Sequence, residues 1–117
     1  MPGAAVADCL FCRIVAGEIP ADLVRDGERV VAFRDINPQA PVHVLVVPRE
    51  HHDDVAGLAA ADPAALAELV TVAGEIAVAA GYDDYRLVFN TGAGAGQSVF
   101  HVHGHVLAGR HLAWPPG

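Results

Sequence analysis

The chain has 117 residues, of which 53% are hydrophobic and 18% are charged, so it has enough apolar material for the core of one compact domain. Its formal net charge of −7 and the absence of any Lys or Arg run disfavour a nucleic-acid polymer or an anionic membrane surface as the partner, but not a small anionic ligand. No apolar segment of the sequence approaches membrane-spanning length, and its N-terminus lacks the basic region of a signal peptide, which predicts a soluble, cytoplasmic protein.

Cap and turn residues organise the first third of the chain. Residues 10–16 favour a short helix that ends before a glycine. Asp26-Gly27 is a strong hairpin signal between two runs rich in valine, residues 23–25 and 30–34. This part of the sequence therefore predicts one short helix followed by a β-hairpin.

The rest of the chain predicts strands around one long helix. Strands are favoured over residues 42–47 and 85–90, and again from Val99 onward. Asp62 is a good N-cap for a helix that would run to Gly81. The apolar face of this helix is expected to consist of Leu66, Leu69, Val70, Ala73, Ile76, Ala77 and Ala80. Its opposite face carries few charges, which is typical of a helix partly covered by a second subunit.

These elements predict an α+β fold, in which a mainly antiparallel sheet packs against one long helix and a short helix lies near the N-terminus. The sequence contains no internal repeat and no linker, so we expect a single domain over residues 1–117. Residues 1–8 are expected to be a flexible start, and residues 112–117 a proline-containing C-terminal tail.

The heptapeptide HVHGHVL, at residues 101–107, places three of the seven histidines at alternate positions. In a strand, His101, His103 and His105 would share one face, roughly 6–7 Å apart from one to the next. The alternative is a solvent-facing strand, but three imidazoles with two nitrogens each are an unusual choice for an ordinary strand face. A single metal held by all three is also disfavoured, because the third histidine in line lies beyond a metal–ligand bond of about 2 Å. The spacing favours a reactive site.

A loop of small residues, TGAGAGQS, precedes the histidines. Gly94 and Gly96 would let backbone N–H groups approach an anion, and Ser98 adds a hydroxyl donor. The loop alone is a weak signal, because it matches neither of the common glycine-rich phosphate motifs. Combined with the histidines, it predicts a phosphate bound between the loop and the imidazoles.

Cys9 and Cys12 have the C-x₂-C spacing of a zinc site. One such pair supplies two ligands, so the others must come from elsewhere, and histidine is the natural supplier. In a reducing compartment a ligand or redox role is favoured over a structural disulfide. The alternative is that both cysteines are reduced and Cys12 simply packs on the helix face.

The sequence resembles a known family in several of these motifs. HVHGHVL resembles the histidine-triad signature, in which three histidines are separated by apolar residues, and residues 92–117 are similar to the end of the Hint branch, the nucleoside phosphoramidate hydrolases. The likeness includes LFCRI, FRDI and PVHVLVVP, at residues 10–14, 33–36 and 41–48. Gly104 departs from the signature, which has an apolar side chain there, and it is expected to affect local packing more than chemistry.

The resemblance implies a catalytic group made of His103, His43, Ser98 and His105. His103 would be the nucleophile that attacks the α-phosphorus, forming a nucleotidyl-histidine intermediate that water hydrolyses. His105, Ser98 and the backbone N–H of Val99 would bind phosphate oxygens. Ser98 would also lie near the leaving amine, and His43 would tune the nucleophile.

The resemblance also implies a purine nucleotide site. The apolar members would wall the purine, Asp35 would accept hydrogen bonds from the ribose hydroxyls, and Asn90 would contact phosphate. The implied site residues are Leu10, Phe11, Ile14, Phe33, Asp35, Ile36, Leu45, Asn90, Gly96, Gln97, Ser98, Val99, His103 and His105.

Finally, the resemblance implies a structural Zn²⁺ ion and a homodimer, with no organic cofactor. His51 and His101 would complete a Cys₂His₂ site with the two cysteines. The tail at residues 112–117 would lie near the partner subunit's site, and its WPPG ending favours a phosphoramidase. The alternatives are a dinucleoside polyphosphate hydrolase or nucleotidyl transferase, and a nucleotide sensor that acts through a protein partner.

Overall fold

The computed structural model describes residues 8–117, so the expected flexible start lies outside the described residues except for Asp8. The helices are α1 (Leu10–Val15), α2 (Val55–Ala61) and α3 (Pro63–Ala79), and a short 3₁₀ turn spans Ala93–Ala95. The strands are β1 (Leu23–Asp26), β2 (Val30–Arg34), β3 (Val42–Pro48), β4 (Arg86–Val88) and β5 (Gly104–Ala108). They form a five-stranded sheet in the order β1-β2-β3-β5-β4, and each adjacent pair is antiparallel. The predicted α+β architecture with a mainly antiparallel sheet is confirmed.

Local signals account for most helix ends. The Asp62 side chain accepts a hydrogen bond from the Ala65 N–H, and Pro63 occupies the first turn of α3. The Cys9 sulfur accepts from the Cys12 N–H at the start of α1. Gly17, two residues beyond α1, has a φ of +79°, a conformation that favours glycine. The predicted hairpin at Asp26-Gly27 is also present, since β1 pairs with β2.

The two faces of the sheet carry different cores. One face packs against α3, and its core includes Val44 and Val46 of β3 with Val106 of β5. The alternate residues of the strands, such as Leu45, point to the other face, where they pack with α1 around Phe11. Successive residues of one strand thus contribute to opposite layers of the molecule. His43 of β3 and His105 of β5 lie on the face that packs with α1.

One unpredicted helix, one shortened strand and one helix face differ from the sequence prediction. The helix α2 was not predicted, and β4 is shorter than the expected strand at residues 85–90. In α3 the buried residues are Ala65, Leu69, Val72, Ala73, Ile76 and Ala77, so Val70 and Ala80 face outward instead of inward. A small shift of the face relative to the sheet places Val72 in the core.

The most consequential difference concerns the start of β5. A strand was expected from Val99, but the ladder with β3 begins only at Gly104, opposite Val46. Beyond that point β3 ends at Pro48, which has no N–H to donate to a ladder. Instead of a ladder bond, Nε2 of His101 donates a hydrogen bond to the Pro48 carbonyl at 2.8 Å. His101 and His103 therefore lie in the segment just before β5, and only His105 lies in the strand.

No helix within residues 8–117 is long and apolar enough to cross a membrane.

Candidate active site and metal centre

Two adjacent strands bring His43 and His105 together. The register of β3 and β5 pairs Leu45 with His105 and His43 with Leu107, so the two histidines are diagonal neighbours on one face. Their ring centroids are 5.2 Å apart, and the ring of His103 lies 4.9 Å from that of His105. The three imidazoles form one contiguous group.

The backbone determines where His43 and His105 carry their protons. The backbone N–H of Gln39 can only donate, and it points at Nδ1 of His43 at 3.0 Å. The neutral His43 ring therefore carries its proton on Nε2, which donates to Nδ1 of His105 at 2.9 Å. The Oδ2 atom of Asp35 lies 3.5 Å from the same Nε2. It follows that His105 carries its own proton on Nε2, as a hydrogen-bond donor.

His103 has the opposite arrangement. Its Nδ1 lies 2.8 Å from the backbone carbonyl of His101, which can only accept, so Nδ1 carries the proton. The unshared electron pair of His103 is then on Nε2. Phe11 packs edge-on against this ring, with centroids 5.0 Å apart, and His103 is only 8% exposed. The ring is held in an orientation in which Nε2 is nucleophilic.

Burial keeps these imidazoles neutral. It lowers the pKa of His43 and of His103, and in both cases it outweighs the opposing charge of Asp35. It lowers the pKa of His105 to about 4, with further lowering by the neighbouring His103 and His43 rings. At neutral pH the electron pair on His103 is therefore available without prior loss of a proton.

A pocket of about 510 Å³ opens beside the histidines. His103 and His105 form part of its wall, together with Asp35, Ser98 and Val99. All six residues expected to wall a purine also line it, namely Leu10, Phe11, Ile14, Phe33, Ile36 and Leu45. An apolar pocket with a few polar groups in its wall is typical of a site for a small organic molecule.

Three predicted nucleotide contacts, Asn90, Gly96 and Gln97, do not line this pocket. Gln97 is 3% exposed; its Oε1 accepts from the Gly92 N–H and its Nε2 donates to the Asp53 and Val99 carbonyls. It therefore shapes the glycine loop from inside. Glycine is required in this loop, since Gly92 and Gly96 have φ values of +86° and +96°. His43 does not line the pocket either, but its Nε2 lies 2.9 Å from Nδ1 of His105, which does.

The C-x₂-C pair lies beside the two histidines that the resemblance implied. The ligand atoms of Cys9, Cys12, His51 and His101 all lie within 4.8 Å of one another. The Nδ1 atom of His101 is 3.4 Å from each sulfur, and Nδ1 of His51 is 3.4 Å from the Cys12 sulfur. Zinc bound tetrahedrally to sulfur and nitrogen at about 2.3 and 2.05 Å needs these atoms about 3.6 Å apart. The cluster has nearly the dimensions that zinc requires.

The outer hydrogen bonds of this cluster also suit a metal. His101 donates its Nε2 proton to the Pro48 carbonyl at 2.8 Å, and His51 donates its Nε2 proton to the Asp53 carboxylate at 2.9 Å. Both rings therefore present an unprotonated Nδ1 to the sulfurs, which is the orientation of a ligand histidine. Burial lowers the pKa of His101 to about 4, so its Nδ1 does not take up a proton near neutral pH.

A second group of metal-ligand type consists of Asp35, His43 and His105. Here the Gln39 N–H donates to Nδ1 of His43, so a metal on Nε2 would leave that ring with no proton of its own. This arrangement favours hydrogen bonds between the histidines over metal coordination. Each cluster contains two histidines, but the hydrogen bonds made by the far nitrogens of those rings differ.

Sequence reasoning missed several residues near the site. Pro20, Ala21, Asp22 and Arg34 also line the pocket. Nothing in the local pattern distinguishes the first three from an ordinary connection, and Arg34 is the polar end of a strand. Gln39 was missed because it acts through its backbone N–H, which no residue pattern reveals. His52 is 8% exposed, and its carbonyl accepts from the Val102 N–H, which helps to position the segment before β5.

Comparisons with known proteins agree in sequence and in structure. The HIT domain family matches residues 16–112 of the chain. A 14 kDa zinc-binding protein of Zea mays is 46% identical over 112 residues, which cover 92% of this chain and 87% of that protein. An uncharacterised HIT-like protein of Synechocystis is 45% identical over 111 residues, covering 94% and 97%.

Solved structures extend the likeness to the whole fold. A HIT family hydrolase from Legionella pneumophila Philadelphia 1 superposes with a TM-score of 0.90 at 46% identity, covering 94% of this chain and 100% of that chain. A histidine triad protein from Clostridium difficile has a TM-score of 0.87 at 40% identity, covering 92% and 96%.

Proposed function

Since the chain belongs to the HIT domain family, we propose that it is a Hint-type hydrolase of purine nucleoside 5′-phosphoramidates that acts through a nucleotidyl-histidine intermediate. One observation carries this proposal. The Nδ1 proton of His103 is held by the His101 carbonyl at 2.8 Å, which leaves a nucleophilic Nε2 on a ring that lines the pocket. A neutral, oriented imidazole is what an attack on phosphorus needs.

Different residues of the pocket bind the purine, the ribose and the phosphate of the substrate. The purine lies in the apolar slot beside Phe11 and Phe33, whose rings meet edge-on with centroids 5.4 Å apart. The ribose hydroxyls donate to Asp35, whose Oδ1 is already oriented by the Asn37 N–H at 2.8 Å. The phosphate then lies beside His103.

In the first step, Nε2 of His103 attacks the α-phosphorus and the P–N bond breaks. The leaving amine takes up a proton from solvent by way of the Ser98 hydroxyl. The Nε2–H of His105 and the Val99 N–H donate to the phosphate oxygens and stabilise the charge that develops on them. The single proton of the Ser98 hydroxyl is donated to a phosphate oxygen in the bound substrate and turns to the amine as the P–N bond breaks. The product of this step is the free amine and a nucleotide bonded to His103.

In the second step, water attacks the same phosphorus and the bond from phosphorus to Nε2 breaks. The nucleoside 5′-monophosphate is released, the proton of the water passes to solvent, and His103 returns to its neutral form. His43 keeps His105 oriented throughout, because its Nε2–H occupies Nδ1 of that ring.

The proposal is tested by rapid quench with labelled adenosine 5′-phosphoramidate, followed by intact mass measurement of the protein. We expect an adenylyl adduct on the wild type and none on His103→Ala, with nucleotide binding largely retained in the variant. His111→Ala, an exposed histidine outside the pocket, is the matched control and should behave like the wild type. Full turnover by His103→Ala would overturn the mechanism, and tight nucleotide binding without any adduct would favour the sensor alternative.

We further propose that Cys9, Cys12, His51 and His101 hold a structural zinc ion. The closed set of four protein ligands leaves no position for substrate, so the ion supplies cross-linking and no chemistry. The ion would fix α1 against the segment before β5. Because His103 follows His101 by two residues, the ion would also help to hold His103 in position. One zinc per chain is expected. Cobalt exchanged into the site should give a thiolate-to-metal absorption band, which Cys12→Ser should lose and His111→Ala should keep.

A homodimer is also proposed. The outward face of α3 carries Val70 and Val78, 45% and 60% exposed, and Tyr85 lies beside them at 40%. The adjacent β4 is at one edge of the sheet. A second copy of the chain would cover this apolar surface and bring its C-terminal tail near the site. Light scattering should give a dimer mass for the wild type and a monomer mass for Val78→Arg; a monomeric wild type at micromolar concentration contradicts the proposal.

A further inference from the structure

The loop between β2 and β3 connects the active-site histidines to the C-terminal segment. The N–H of Gln39 donates to Nδ1 of His43 at 3.0 Å, and the carbonyl of the same residue accepts from Nε of Arg110 at 2.7 Å. The Gln39 side chain donates to the Asn37 carbonyl at 3.0 Å, which braces the loop from within. Arg110 is thus linked to His43 through a single residue, although 67 positions separate them in the sequence.

The path of the chain after β5 makes this link possible. Gly109 follows the last strand residue and has a φ of +97°, a conformation that glycine adopts without strain. A Cβ on Gly109 would lie 2.8 Å from Cβ of Pro41 and 3.1 Å from the hydroxyl of Tyr82. Its backbone therefore lies directly against the β2–β3 loop, and this close approach brings the next side chain, Arg110, to the Gln39 carbonyl.

We propose that Arg110 is a positioning residue for the histidine group: by holding the Gln39 carbonyl, it keeps the Gln39 N–H on His43 and so keeps the His43 proton on Nε2, aimed at His105. The consequence for turnover rests on the proposed function. The consequence for the protonated nitrogen does not, because it follows from hydrogen bonds between residues of the chain alone.

The tautomers of the two histidines are coupled. If the Gln39 N–H moves away, Nδ1 of His43 can carry the proton and Nε2 becomes an acceptor. His105 must then donate from Nδ1, so its Nε2 carries no proton and presents an electron pair to the pocket. A phosphate oxygen at that position would meet an electron pair where it needs a donor. A loosened Gln39 should therefore lower kcat more than it raises KM.

The experiment compares wild type with Arg110→Met, Arg110→Lys and Arg86→Met. Arg86 is the matched control: it donates to the carbonyls of Leu112 and Ala113, so it holds the same segment of chain without reaching Gln39. Each protein is labelled with ¹⁵N-histidine, and long-range proton–nitrogen correlation spectra identify the protonated nitrogen of His43. The kcat and KM for adenosine phosphoramidate are measured on the same samples.

We expect the wild type to hold the His43 proton on Nε2, and Arg110→Met to show a mixture of the two tautomers. We also expect a fall of about fivefold in kcat, the factor that corresponds to one ordinary hydrogen bond. Arg110→Lys, which keeps a donor, should recover much of both, and Arg86→Met should leave the tautomer of His43 unchanged. An unchanged His43 spectrum in Arg110→Met, or the same change in Arg86→Met, would overturn the inference. A wild type without turnover would refute the proposed function while the spectra still decided the role of Arg110.

Discussion

Gly104 lies between His103 and His105 of the candidate site, and its Cα hydrogens face the opposite layer of the molecule. It is buried in β5, and a Cβ at this position would lie 2.9 Å from Cδ1 of Leu87, 3.2 Å from Cδ2 of Leu69 and 3.2 Å from Cε1 of Phe89. Carbon atoms in contact are normally about 3.5–4.0 Å apart. The histidine-triad signature has an apolar side chain at this position. Here the position is a glycine, because the neighbouring side chains already occupy the volume that such a side chain would need.

Substituting Gly104→Ala should destabilise the protein through overpacking. One extra methyl group in a close-packed core costs about 1–3 kcal/mol, and replacing glycine in a strand returns about 0.5–1 kcal/mol. The expected net loss is about 1–2 kcal/mol in the free energy of unfolding. For a chain of this size, that loss corresponds to a Tm lower by about 4–8 °C.

Urea unfolding followed by circular dichroism measures this change, and Gly94→Ala is the matched control. A Cβ at Gly94 meets nothing within 4 Å, so no loss of stability is expected there. Adding Leu87→Val to Gly104→Ala removes the nearest atom, and the double variant should be less destabilised than the sum of the single ones. If Gly104→Ala is as stable as the wild type, or if the two changes are strictly additive, the packing argument is wrong.

Two further predictions concern pH and helix capping. The pKa of His105 is lowered from 6.5 in the unfolded chain to about 4 in the folded protein, so between these values the unfolded chain binds more protons and stability falls as the pH falls. With allowance for partial exposure to solvent, His105 accounts for about 1 kcal/mol of the stability lost between pH 7 and pH 5. Urea unfolding of wild type and His105→Gln at both pH values should show a smaller loss of stability in the variant. Equal losses in the two proteins would contradict the prediction. Asp62→Ala removes the acceptor for the Ala65 N–H at the start of α3 and should cost about 1 kcal/mol, whereas Asp62→Asn should cost less, and equal stability of the Ala variant and the wild type would refute this role.

Signals that act within a few residues are readable from the sequence. The hairpin at Asp26-Gly27 and the long helix that begins after Asp62 follow from turn and cap preferences, which depend on neighbours along the chain. The motif HVHGHVL is equally local, and its spacing indicates histidine chemistry without reference to the fold. The sequence by itself therefore determined the fold class and the residue types of both sites.

The tertiary structure decided how those residues are used. The strand β5 begins at Gly104 because β3 ends at Pro48, and the carbonyl of that proline is what turns Nδ1 of His101 toward the cysteines. The carbonyl of His101 in turn leaves Nε2 of His103 free. The Pro48 partner depends on where the antiparallel pairing of β3 and β5 ends, and the contact between His101 and His103 depends on the path of the segment before β5. No periodicity in either segment encodes these partners.

The same reason separates the two clusters of metal-ligand type. Asp35, His43 and His105 are also of metal-ligand type. The hydrogen-bond partners of the outer ring nitrogens distinguish the two clusters. His101 and His51 each donate from Nε2, to a carbonyl and a carboxylate respectively, whereas Nδ1 of His43 accepts from a backbone N–H. Residue types were set by the sequence, but the position of each proton depends on backbone groups that only the folded chain brings within hydrogen-bonding distance.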